Sequence, residues 1–144
     1  EFGKRMVNGG RLSVPSVYDT PLSTPDADAW RGGPRPGTSM PDAPVADRAG
    51  NPMFLTEAFI RKGTRFALLT FGNGGGDAAP EDVGIIRVGG ADGLVDTEGL
   101  AGQRYDAGSG ATYLLRPDGY VAARFRQPTR AGVEAALARA CGLN

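Results

Sequence analysis

The chain has no histidine and one cysteine, Cys141, in 144 residues. Without imidazole there is no Ser–His or Cys–His nucleophile pair and no histidine metal ligand. With a single thiol there is no intrachain disulfide, no C-x-x-C and no cysteine zinc site. A basic excess is also missing, because Lys+Arg 16 balances Asp+Glu 16, and nothing suggests a nucleic-acid partner. No apolar run is long enough for a bilayer, and no charged-then-apolar leader stands at the start. A cytoplasmic, reducing compartment is expected from the cysteine usage.

What is present divides at about residue 50. Eight of the eleven prolines lie between Pro15 and Pro52. Proline fixes φ and removes a donor, so neither a regular helix nor a central strand is expected from Leu12 to Ala49. Yet Val14, Val17, Tyr18, Leu22 and Trp30 sit there, more apolar bulk than a disordered linker carries. The reading is an extended arm, residues 1–36, that packs on something. Tyr18 and Trp30 are its candidate interface anchors, since large aromatics dominate such contacts; the alternative is that both fold back on the domain's own core. Glu1-Phe2 matches the pair encoded by a common cloning site, so a cut piece of a longer chain is expected.

Beyond Asn51 the pattern is that of a folded domain, residues 37–144 in all. Met53–Ile60 suits a turn or two of helix. Arg65–Phe71 and Asp82–Val88 are runs of strand length. Asp96–Tyr105 reads as a helix capped by Asp96 and weakened by Gly99 and Gly102. Tyr113, Leu115, Val121 and Ala123 read as one face of a hairpin. Thr129–Ala140 reads as a helix with Thr129 as N-cap and Gly142 as stop, burying Val133, Ala136, Leu137, Ala140 and Cys141. The order fits an α/β, thioredoxin-like fold: a mixed central sheet flanked by helices, without the redox C-x-x-C. Its weak point is the crossover between the first two strands, where Ala78–Asp82 offers little helix and parallel strands need about a dozen residues or more.

Several stretches invite chemistry. Gly72-Asn73-Gly74-Gly75-Gly76 follows a strand, but Asp77, Glu81 and Asp82 would repel a phosphate, and a loop is favoured. Asp92, Asp96 and Glu98 lack calcium-loop spacing and read as turn charges. Cys141 reads as a small core hydrophobe rather than a thiolate. Arg116-Pro117-Asp118-Gly119 is a hairpin turn, with Gly119 free to take positive φ and Pro117 preset. No catalytic, cofactor-binding or metal-binding residue is assigned.

The segment YLLRPDGYVAARF, Tyr113–Phe125, resembles the C-terminal signature of class A FAD-dependent aromatic hydroxylases, the phenol hydroxylase-like and 3-(3-hydroxyphenyl)propionate hydroxylase-like monooxygenases. Arg116, Pro117, Asp118, Gly119, Val121, Ala122 and Arg124 carry the match. PGTSMPDAPVAD (Pro36–Asp47), TPLSTPDADAW (Thr20–Trp30) and RFALLTFG (Arg65–Gly72) follow the family's order. The resemblance implies a non-catalytic C-terminal domain serving folding and subunit contacts. Its expected partners are the catalytic FAD and substrate domains of the same chain, together with a homodimer contact. It implies FAD and NAD(P)H in the parent enzyme, which would hydroxylate a phenolic ring, and none in this chain, where no G-x-G-x-x-G opens a helix after a strand. The other reading is a free-standing thioredoxin-fold protein, either peroxidase- or reductase-like or a small-molecule binder.

Overall fold

The computed structural model describes residues 22–63, 65–72, 75–108 and 110–142. Strands β1 (Pro44–Ala46) and β2 (Pro52–Phe54) form a small antiparallel ribbon. Helix α1 (Leu55–Ile60) follows directly, so the expected helix at Met53 begins two residues later, after a short strand. Then come β3 (Ala67–Phe71), β4 (Gly84–Val88), α2 (Leu100–Arg104), β5 (Ala111–Leu115), β6 (Val121–Phe125) and α3 (Arg130–Ala140). The sheet order is β4-β3-β5-β6, with β3 and β4 parallel and the other neighbours antiparallel. A mixed four-stranded sheet flanked by helices is therefore present, as expected. No described helix is long and apolar enough to cross a membrane.

Strands β3 and β5 are buried at every position, because both faces of the sheet are covered. On one face Leu69, Tyr113, Leu115, Ile86 and Val121 meet Leu55, Phe59 and Tyr105. On the other, Leu68, Leu114, Ala122 and Ala123 meet Val133 and Ala136 of α3. Val121 and Ala123 thus lie on opposite faces, contrary to the alternation expected from sequence. The register gives the reason: Leu115 pairs with Val121 while Leu114 pairs with Ala123, so Ala122 is an extra residue that shifts the phase of β6.

The crossover from β3 to β4 uses residues 72–83 and only a three-residue 3-10 turn, Gly76–Ala78. The missing crossover helix is replaced by close packing. A Cβ on Gly76 would meet the Arg87 guanidinium, and one on Gly75 would meet the Thr112 hydroxyl at 2.5 Å, so the loop lies flat on the sheet where a helix would stand.

Helix ends follow local chemistry. Thr129 caps α3 by accepting from Gly132 N at 3.0 Å. Asp96 caps α2 from a distance, accepting from the Ala101 and Gly102 amides at 3.1 and 2.8 Å, while Gly99 in the left-handed region turns the chain into the helix. The helix is thus shorter than Asp96–Tyr105. Cys141 is exposed, because α3 ends at Ala140 and the next residue turns out of its apolar face.

Candidate functional site

The residues singled out by sequence fall in two places. Arg116-Pro117-Asp118-Gly119 makes the turn between β5 and β6. The Gly119 amide donates to the Arg116 carbonyl and the Arg116 amide to Tyr120 O, both at 2.8 Å. With Gly119 at φ 86, this is a three-residue loop with glycine at its left-handed position. The Asp118 carboxylate accepts from the Tyr120 amide (3.1 Å) and from the Arg116 guanidinium (3.0 Å). Arg116 therefore braces its own turn, and its partly exposed pair adds little stability, about 0–1 kcal/mol.

Trp30 lies at the second place. Its ring packs on Tyr113, with centroids 5.6 Å apart. The Arg124 and Arg126 guanidinium carbons lie 4.4 and 3.7 Å from its centroid, within cation–π range. Arg124 makes a two-point pair with Asp26, 2.9 Å from Nε and 2.8 Å from Nη2, and also donates to Gly32 O. Arg126 bonds the Asp106 carboxylate at 2.7 Å and the carbonyls of Asp106 and Gly110. Asp106 in turn accepts from the Arg31 and Gly32 amides. Trp30 thus folds back on the domain core, one of its two expected alternatives. Tyr18 lies outside the described residues.

The electrostatics follow from these bonds. The Arg31 amide, with help from Gly32 and Arg126, holds the Asp106 carboxyl below the ordinary carboxylate value against some desolvation. Burial works against charge on Arg124, but Asp26 outweighs it and its pKa is raised. Burial pushes Tyr113 up to about 12 and Tyr105 further still. Both hydroxyls are tied to backbone, Tyr113 to Tyr105 O and Tyr105 to Pro41 O.

The Pro41-Asp42-Ala43 stretch is structural too. Asp42 caps α1, its carboxylate accepting from the Thr56 amide and hydroxyl at 2.9 Å each. Sequence reading missed Asp26, Asp106 and Arg126, and it matched Arg124 without a role. The available signal was the pair Arg124 and Arg126, two cations two positions apart at the end of a core strand, with Asp26 and Asp28 close to Trp30 in sequence.

The loop after β3 carries glycines rather than thiols, and Cys141 is exposed just past the end of α3. Among the described residues no group of three His, Cys, Asp or Glu could hold a metal. Asp96 is committed to its helix cap. The glycine loop leads into a single 3-10 turn, with Arg87 filling the space over Gly76, where a phosphate cradle needs open backbone at a helix start.

A family model described as aromatic-ring hydroxylase, C-terminal, matches residues 33–143. No curated protein matches the chain. Among solved structures, the flavin-dependent monooxygenase PieE, in complex with FAD and substrate, superposes with a TM-score of 0.72 at 24% identity, over 90% of this chain and 25% of its own. Aklavinone-11 hydroxylase, in a ternary complex with FAD and aklavinone, gives 0.68 at 28% identity, over 88% and 26%. The chain spans about a quarter of the length of these two proteins. By the family match over most of its length, the chain belongs to the aromatic-ring hydroxylase C-terminal domain family.

Proposed function

We propose that the chain is the non-catalytic C-terminal domain of a FAD- and NAD(P)H-dependent monooxygenase that hydroxylates a phenolic ring in the cytoplasm. Residues 1–36 lead in from the catalytic part and residues 37–144 form the domain. The flavin, the nicotinamide and the substrate are held by domains outside this chain. The observation that carries the reading is the family match over residues 33–143. The structural role is supported by how the polar groups are used. Arg124, Arg126, Asp26, Asp42 and Asp106 all hold elements of the domain to one another.

The test is made in the parent enzyme. Trp30→Ala and Arg124→Met are expected to lower thermal stability and flavin retention, while kcat/KM per bound flavin stays within about two-fold of wild type. A loss of about a hundred-fold in kcat at unchanged flavin content would show that this domain takes part in the chemistry and would overturn its non-catalytic assignment.

A further inference from the structure

Among the described residues the sheet is covered along one edge and only partly along the other. At the β6 edge the arm and the residues that follow it supply hydrogen bonds: Thr24 N to Ala122 O at 2.9 Å, Gly37 N to Val121 O at 2.7 Å, and Val121 N to Thr38 O at 2.8 Å. Strand β4 has β3 on one side, and among the described residues Leu94 alone bridges its other side, opposite Val88. Gly84 N and Val88 O bond toward β3, to Phe66 O and Gly72 N, so the alternate residues Ile85 and Arg87 turn their backbone groups outward. Leu94 N takes the Arg87 carbonyl at 2.7 Å. The Ile85 N–H and C=O and the Arg87 N–H have no hydrogen-bond partner among the described residues.

A groove of about 540 Å³ runs beside these groups, with Met53, Ala58 and Leu94 in its wall. Its rim carries Arg48, Arg61, Lys62 and Arg87 against Asp47 and Asp92. Several of these are already committed: Arg61 to Glu57 at 2.7 Å, Arg48 to Gly90 O, and Asp47 to Asn51. Lys62 meets no carboxylate among the described residues, whereas the Arg87 guanidinium lies over Gly76. The Lys62 stem lies over the start of β4, its Cδ 3.5 Å from where a Gly84 Cβ would stand. The unpaired stretch of edge at Ile85, with apolar walls, accepts an extended segment as an added strand, and the Lys62 ammonium favours one that carries an acid.

We propose that the open edge of β4 is where an extended, acid-bearing segment of the parent's catalytic part docks as an added strand. Its backbone pairs with Ile85 and Arg87, and a carboxylate faces Lys62. This rests on the reading of the chain as one domain of a larger enzyme. It is in keeping with solved relatives whose matching part is about a quarter of a much longer chain.

Amide hydrogen exchange of the full-length native protein, compared with this chain alone, tests it. The Ile85 and Arg87 amides are expected to exchange about ten-fold or more slowly in the full-length protein. Lys62→Glu in the full-length protein is expected to return most of that exchange, and Lys62→Arg to leave it slow. Equal exchange in both, in a full-length protein that carries flavin, overturns the docking and leaves the proposed function standing. A native protein no larger than this chain overturns both. Protection that survives Lys62→Glu, or that vanishes on dilution as a contact between two copies would, also overturns the docking.

Discussion

At the scale of single residues, the domain turns polar chemistry inward. The Tyr113 pKa is raised by burial to about 12 and that of Tyr105 is raised further, from an ordinary 10.0. A raised folded pKa means stability that is whole below the unfolded value and lost as pH climbs through the folded one. The two phenols should therefore stay protonated at about pH 11, one unit above the ordinary tyrosine value, and ionise only as the domain opens. Ultraviolet titration of tyrosinate, followed alongside circular dichroism, checks this. Ionisation of all described tyrosines with the fold intact would contradict it. Asp106 works in the opposite direction. Its pKa lies below the ordinary 3.8, so its contribution is present above that value and is lost as pH falls through the lowered one. Asp106→Asn, which keeps a residue tolerant of φ 50, should lower the melting temperature at neutral pH and flatten its fall in acid.

At the scale of elements, two glycines separate strain from clash. Gly119 sits at φ 86, and the nearest atom to an added Cβ is 3.7 Å away. Gly119→Ala should cost about 1–2 kcal/mol, the ordinary price of a left-handed residue. Gly33 sits at φ 77, and an added Cβ there would meet the Tyr113 hydroxyl at 2.5 Å and the Tyr105 backbone at 3.1 Å. Gly33→Ala should cost clearly more than Gly119→Ala, because it also disrupts a buried hydrogen bond worth about 1–3 kcal/mol when broken. Paired denaturant melts decide the ranking, and equal costs would mean that the arm does not press on Tyr113. The strap itself should be strong: the Arg124 guanidinium is 4% exposed and Asp26 28%. Arg124→Met should cost about 2–3 kcal/mol, between the values for surface pairs and for broken buried ones, read from the shift in the denaturant midpoint.

The same elements show what the sequence made legible and what it hid. Strands β3, β4 and β5, helix α3 with its Thr129 cap and the Asp118-Gly119 turn were readable, because each carries its own local signal. The bulge at Ala122 was not, since one inserted residue leaves the composition of β6 unchanged while it moves Ala123 to the other face. Cys141 was misplaced onto the apolar face, because helical spacing continues past the residue where the helix stops. Neither the strap nor the α1 cap was legible. Asp26 meets Arg124 across 98 positions and Asp42 meets Thr56 across 14, distances at which residue spacing carries no signal.

At the scale of the whole molecule, the described sheet is buried on both faces and strapped by the arm across one edge, and its place beside a larger body is the proposal to be tested. The most direct measurement is the mass of the native protein in its source cell, detected with an antibody against this chain and followed by its flavin content. The expected result is a flavin-bearing polypeptide several times larger than 14.9 kDa. A native protein at the size of this chain, without flavin, would contradict its assignment as the tail of a monooxygenase.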